Sequence, residues 1–284
     1  MRIKLIGLSV ALALFCVVGI GVASLSGCLG DEGTPNGSDA GYVSVPDFAI
    51  ACTTNNDGVF ERSELPLAVG ATARYLQNPA GTVAMVNSVG QDSPDGTAWD
   101  FTSTAGDIVE LPIVAMNGLW FQSKFPGATY ATYADVASKT YGIFKLTDTA
   151  LQIMGFASEA PNQTLLVYDT PVDSIRFPLK RGDGWVVTGK IVNGLFNGLP
   201  VAETDTYKVS VDAKGVVELP FLSVANTLRI RVELDQALPG GNTQHTIQLL
   251  YFRECVGEVG RMVSQAGETN TNFTSAATFR RLSL

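Results

Sequence analysis

Short segments rich in Val, Ile, Thr, Tyr and Phe recur along the chain, and Gly, Pro, Asn and Asp residues separate them. Segments of this kind between turn residues are typical of strands in antiparallel β-structure. They are Thr82–Val86, Trp99–Thr102, Ile108–Leu111, Gly118–Phe121, Gly142–Leu146, Thr164–Tyr168, Trp185–Ile191, Tyr207–Val211, Val216–Leu219, Thr227–Leu234, Thr246–Arg253 and Thr278–Leu284. The sequence therefore predicts a mainly β fold, either an antiparallel curved sheet or a β-sandwich.

Apolar and charged side chains alternate along Leu228–Leu234. Because successive strand residues point to opposite faces, we expect one face there to be buried and the other to face water. The compositions of Glu61–Tyr75, Thr132–Ser138 and Val256–Ala266 are compatible with helix. One or two short helices are therefore expected beside the strands.

Two short sequence motifs each occur twice in the chain. Val-Glu-Leu-Pro occupies Val109–Pro112 and Val217–Pro220, and Pro-Leu precedes a Gly in Pro66–Gly70 and in Pro178–Gly182. Repetition in the same order predicts an internal duplication into two similar β halves. The alternative is independent use of common strand and turn residues.

The N-terminus carries an export pattern. Arg2 and Lys4 precede an apolar run, Leu5–Val22, which small residues follow. Leu25–Cys28 then reads Leu-Ser-Gly-Cys, which resembles the lipobox of bacterial lipoproteins with a type II signal peptide. The resemblance implies cleavage before Cys28 and acylation of that cysteine, which becomes the anchor in the lipid bilayer. The alternative is an uncleaved transmembrane helix, since such a run can just span a bilayer.

The lipobox resemblance also implies a location in the bacterial cell envelope. Leu29, rather than Asp, follows the cysteine, and in the enteric sorting rule this implies the outer membrane over the inner one. The next residues, 29–41, are mostly Gly, Asp, Ser, Asn and Pro and cannot form a core, so we expect a flexible tether.

Four cysteines are present. On the lipoprotein resemblance Cys16 is removed with the signal peptide and Cys28 carries lipid. Cys52 and Cys255 remain, and two thiols in an oxidising compartment tend to pair. We therefore expect a Cys52–Cys255 disulfide, and the alternative is two buried free thiols.

Residues 53–64 resemble the 12-residue calcium loop of EF-hand proteins. The resemblance implies that oxygen ligands come from Thr53, Asn55, Asp57, the Val59 carbonyl and Glu64, with Glu61 acting through water. Gly58 would form the sharp turn and Phe60 would insert into the core. Thr53 departs from the usual Asp, and Pro66 interrupts the exit helix. The alternative is an Asn/Asp/Gly turn before a short helix. No cofactor is expected to be required, and calcium is the one candidate.

The pattern of reactive residues argues against an enzyme. His245 is the only histidine, it stands at the start of an expected strand, and no Gly-x-Ser-x-Gly motif, zinc-ligand spacing or phosphate-binding loop is present. The formal net charge is −8 and no Lys/Arg cluster occurs, so we expect no nucleic-acid partner.

The densest apolar segment of the mature chain runs from Leu119 to Tyr133. Aromatic residues dominate binding surfaces, but in a β-rich domain they usually fill the core, which is the interpretation favoured here. The segment resembles parts of bacterial surface lipoproteins.

The expected organisation has five parts. They are a signal peptide at 1–27, a lipidated cysteine and tether at 28–44, the EF-hand-like loop with a short helix at 45–77, and β halves at 78–172 and 173–284. The expected role is that of a non-enzymatic envelope lipoprotein, a binding or structural module whose partner is a protein, a glycan or an apolar ligand. The alternatives are a calcium-binding or calcium-stabilised surface protein and a carrier of an apolar ligand.

Overall fold

The computed structural model describes residues 52–238 and 240–283. Within them the fold is mainly β, as predicted, and the only helices are two short 3-10 turns at Arg62–Glu64 and Gln122–Lys124. The expected signal peptide, tether and lipidated Cys28 lie outside the described residues.

The described residues form seventeen strands. They are β1 (Val59–Phe60), β2 (Thr72–Gln77), β3 (Ala84–Met85), β4 (Gln91–Ser93), β5 (Gly96–Asp100), β6 (Asp107–Pro112), β7 (Tyr130–Asp135), β8 (Thr140–Leu146), β9 (Ala150–Ser158), β10 (Leu165–Arg176), β11 (Leu179–Lys180), β12 (Gly184–Phe196), β13 (Leu199–Glu218), β14 (Ser223–Ala237), β15 (Thr243–Arg253), β16 (Gly257–Ser264) and β17 (Ser275–Leu282).

Fifteen strands belong to one sheet. Twelve of them follow the order β6-β2-β17-β16-β15-β14-β13-β12-β10-β9-β8-β7, and β3, β4 and β5 pair beside this path. Neighbours along this path are antiparallel. The two ends of the path meet, because Val114, just after β6, forms an antiparallel bridge with Ala131 in β7. The sheet is therefore nearly closed and barrel-like, and we call this circle of strands the ring.

The ring has two ends, which we name by the turns found there. The turn between β15 and β16 contains Cys255, and the hairpin between β12 and β13 contains Gly198. β13 runs from the Gly198 end to the Cys255 end. Its residues Tyr207, Val209 and Val211 are buried with their partners on β14 and form part of the core inside the ring.

The outer face of the ring is covered in two places. Residues 114–129 lie over β7–β9, where Phe121 and Phe125 pack with Ile143 and Met154 in a second apolar cluster. Elsewhere, Trp99 and Phe101 pack edge-on against Tyr251 of β15. The aromatic segment from Leu119 to Tyr133 is thus largely core, as favoured from the sequence.

The alternation along β14 is only half confirmed. Leu228, Ile230 and Val232 are buried as expected, but Arg229 on the opposite face is buried as well. Its guanidinium lies over the ring of Trp99 and pairs with Asp212. The covering chain segment therefore keeps part of the charged face away from water, which contradicts the expectation of a solvated face.

Two of the three helical expectations are wrong, and the third is confirmed only in part. Thr132–Ser138 begins within β7, and Val256–Ala266 contains β16, whose eight residues are all buried and therefore show no alternation. Glu61–Tyr75 is helical only at Arg62–Glu64, since Pro66 and Gly70, with φ of +95°, are followed by β2.

Gly118–Phe121, expected as a strand, forms turns because Gly118 has a φ of +87°. The expected boundary between the β halves at 172/173 falls inside β10, which pairs with β9 on both sides of it. Both halves contribute strands to the same sheet, and the duplication stays a prediction.

Candidate functional site

The disulfide between Cys52 and Cys255 is present, as predicted, with 5.5 Å between the two Cα atoms. The N–H of Cys255 also donates a hydrogen bond to the carbonyl oxygen of Glu64, 2.9 Å away. These two links join the start of the described chain to the β15–β16 turn. The EF-hand-like loop is therefore held between two points at the Cys255 end of the ring.

Phe60 inserts its side chain into the core from this loop. Its strand β1 pairs with β11, and the residue is 1% exposed. The centroid of its aromatic ring lies 5.9 Å from that of Phe252 and 6.2 Å from that of Phe177. Burying a phenylalanine stabilises a fold by about 1.5–3 kcal/mol. The loop thus closes the Cys255 end of the ring with an apolar side chain.

The first half of the loop is a tight turn around two side chains. The N–H of Asp57 donates to Oδ1 of Asn55 at 3.1 Å, and the N–H of Val59 donates to Oδ1 of Asp57 at 2.7 Å. Gly58 has a φ of +83°, a conformation that costs glycine little. Thr53 lies exposed at the start of the loop.

The second half of the loop brings Glu64 back toward this turn. Oε2 of Glu64 accepts the N–H of Glu61 at 2.8 Å, which caps the 3-10 turn, and the residue is 4% exposed. Burial, opposed by that hydrogen bond, raises the pKa of Glu64, and the carboxylates of Glu254, Asp57 and Glu61 raise it further. The loop therefore concentrates acidic groups around a buried carboxyl group.

Glu254 contacts the EF-hand-like loop and was not predicted from the sequence. It lies in the β15–β16 turn, is 3% exposed, and its Oε2 accepts the N–H of Asn56 at 2.9 Å. Arg253 pairs with the same oxygen at 3.2 Å. No spacing pattern could connect Glu254 to a loop about 200 residues earlier, although its position beside Cys255, the expected partner of Cys52, was an indirect signal.

The oxygen donors of the loop are of the kind that calcium prefers. Asn55 and Asp57 each accept a backbone N–H group with Oδ1, and Glu64 does so with Oε2. Within 52–238 and 240–283, no group of three or more His, Cys, Asp or Glu side chains is arranged to hold a metal ion. Calcium binding would therefore require a rearrangement of the side chains around the loop.

Two other features bear on the expected roles. Nδ1 of His245 lies 2.6 Å from Oδ1 of Asp235, its neighbour across β14 and β15, so the histidine is a strand residue, as predicted. A groove of about 290 Å³ lies near the Gly198 end and is lined by apolar and charged residues, among them Ile191, Lys190 and Glu203.

None of the helices in the described part of the chain is long and apolar enough to cross a membrane. Comparison of the chain with protein-family models, with curated proteins and with solved structures found no match.

Proposed function

We propose that this protein is a lipid-anchored lipoprotein of the bacterial cell envelope, with a non-enzymatic β body that acts as a binding or structural module. The Leu-Ser-Gly-Cys pattern ending at Cys28 carries the proposal. The Cys52–Cys255 disulfide supports it, because such bonds persist in the oxidising compartments that exported proteins enter.

In this proposal the tether reaches the body at the Cys255 end of the ring, since Cys52 is bonded there. The Gly198 end then lies opposite the point where Cys52 is bonded and is the end most open to a protein or glycan partner. Two or more acyl chains hold a protein stably at a bilayer, so release of the module is not part of its action.

The anchor is tested by radioactive palmitate labelling of the full chain and of a Cys28→Ala variant in a bacterial host. The wild-type chain should be labelled and should lose residues 1–27. The variant should carry no label and should accumulate as precursor. A Cys16→Ala variant is the matched control and should behave like wild type, and label surviving in Cys28→Ala would refute the proposal.

A second candidate function is that of a calcium-stabilised surface protein. The observation that favours it is the buried Glu64 beside Asp57 and Glu254, because these carboxylates repel each other and a divalent cation would neutralise them. Ligand binding to the folded state raises stability in proportion to the logarithm of ligand concentration. Calcium should therefore raise the unfolding temperature of the full chain in detergent.

The matched test compares wild type with Asp57→Asn, Glu64→Gln and Glu110→Gln. Glu110 is an exposed carboxylate on β6 and serves as the control. The first two variants should lose the response to calcium, whereas Glu110→Gln should keep it. An unfolding temperature of wild type that is the same with calcium and with chelator excludes this candidate without affecting the proposed anchor.

A further inference from the structure

Polar side chains from two strands meet inside the ring toward the Gly198 end. The hydroxyl group of Tyr168 on β10 donates to Oδ2 of Asp205 on β13 at 2.5 Å, and it lies 2.6 Å from the hydroxyl group of Tyr207. Asp205 is 1% exposed. Gly189 leaves room for this cluster, because a Cβ atom at this position would come within 2.6 Å of the phenol group of Tyr168.

Asp205 is buried without a balancing cation. Its Oδ1 atom has no hydrogen-bond partner, and in the described part of the chain no Lys, Arg or His forms an ion pair with it. A buried carboxylate with an unpartnered oxygen costs free energy when it is ionised, so protonation relieves the cost.

Glu203 adds a second acid on the same face. It precedes Asp205 by two residues on β13, so both side chains point to the inside of the ring. Burial raises the pKa of Glu203 to about 7, and the charge of Asp205 contributes. Burial raises the pKa of Asp205 to about 6, although the hydrogen bond from Tyr168 and the nearby amide of Gln236 act in the opposite direction.

The neighbouring strands contribute few charges to this region. Across from the two acids, β12 presents Ile191 and Gly189, and β14 presents Gln236. Lys190 lines the groove beside Glu203 without an ion pair to it, and Asp169 of β10 accepts the N–H of Lys190. Nothing on the strands packed around the pair therefore neutralises it.

We propose that Glu203 and Asp205 form a proton-binding pair that controls the opening of the ring at the Gly198 end. With protons bound, the pair is neutral and β10, β12 and β13 stay closed around it. When both protons pass to solvent, two like charges stand two residues apart on β13, and water must enter the ring to solvate that of the buried Asp205. The proposal goes beyond the envelope role and does not depend on the lipid anchor.

The direction of the pH effect follows from proton linkage. Opened strands expose both acids, which then have ordinary pKa values near 4, whereas the closed state holds the protons more tightly. The stabilisation is complete below about pH 4 and is lost as pH rises to about 7. Each proton released on opening raises the opening equilibrium constant about tenfold per pH unit within its window.

Hydrogen–deuterium exchange of the full chain in detergent tests this, at several values from pH 4.5 to pH 7.5 and with correction for the chemical exchange rate. Protection of backbone N–H groups in Leu199–Tyr207 should fall at least tenfold in wild type. The double variant Glu203→Gln/Asp205→Asn should show no such fall, and the Glu110→Gln control should behave like wild type. The same fall in the double variant, or none in wild type, overturns the proposal.

A second measurement does not depend on the folding of the double variant. The infrared carbonyl band of protonated carboxyl groups is recorded for wild type and for Glu203→Gln, which changes only a half-buried side chain. The wild-type band should persist above pH 6, and the part due to Asp205 should remain in Glu203→Gln at pH 5.5. Loss of the whole band by pH 5 overturns the proposal.

Discussion

Val114 and Ala131 exchange two backbone hydrogen bonds, of 2.8 and 3.0 Å, and this bridge joins the two edge strands of the long sheet path. Both polar groups of Ala131 point toward Val114, so its N–H takes no part in the pairing of β7 with β8. The closure of the ring therefore depends on a contact that can be removed without disturbing a neighbouring ladder.

Replacing Ala131 with proline removes the N–H that donates to Val114. We expect Ala131→Pro to lower the free energy of unfolding by about 1–3 kcal/mol, because the Val114 carbonyl loses its donor. Ala131→Gly keeps the N–H group and is the control for loss of the methyl group. Chemical denaturation measures both, and equal losses in the two variants would show that the bridge contributes nothing.

The Cys52–Cys255 disulfide constrains a very long segment, since the two residues are 203 positions apart. In the chain-entropy model such a link removes many unfolded conformations. Cys52→Ser/Cys255→Ser should therefore lower the free energy of unfolding by about 2–5 kcal/mol. Reduction of the wild-type protein should reproduce the effect and leave the double variant unchanged. If reduction had no effect on wild type, the link would not stabilise the fold.

The strand pattern of the sequence predicted the class of fold because long strands such as β13 carry apolar residues at alternate positions, as at Tyr207, Val209 and Val211. The pattern missed β16, where both faces are buried and periodicity vanishes. Ring closure at Val114 and Ala131 has no local signal, since any pair of residues at two sheet edges could form such a bridge. In the candidate site, Asp57 and Glu64 follow a spacing, but the contribution of Glu254 depends on the tertiary fold.

Asp212 holds two arginines on the outer face of β14. Its carboxylate accepts hydrogen bonds from Arg229 at 2.8 and 3.1 Å and also pairs with Arg231. Removing one partner of a buried ion pair typically costs 3–5 kcal/mol, because the other charge stays buried. Asp212→Ala should therefore destabilise the protein by about 3 kcal/mol.

The control for Asp212→Ala is Asp235→Ala, which removes the more exposed carboxylate that contacts His245. We expect a change of less than about 1 kcal/mol there, the usual range for surface pairs. Restoration of stability in the double variant Arg229→Met/Asp212→Ala would confirm that the uncompensated arginine causes the loss. A double variant as unstable as Asp212→Ala would attribute the loss to packing instead.

Glu64 offers the sharpest test of whether the loop needs a cation. Its pKa is raised, mainly by burial, so its contribution to stability is greatest at low pH and is lost as pH rises through the folded-state pKa. Glu64→Gln keeps an oxygen that can accept the N–H of Glu61 but removes the charge. In chelator at neutral pH the variant should therefore unfold at a higher temperature than wild type, and the difference should vanish toward pH 4.

In calcium the order should reverse if the loop binds the ion, because only wild type gains from it. A variant less stable than wild type in chelator would mean that the carboxylate is already compensated within the protein.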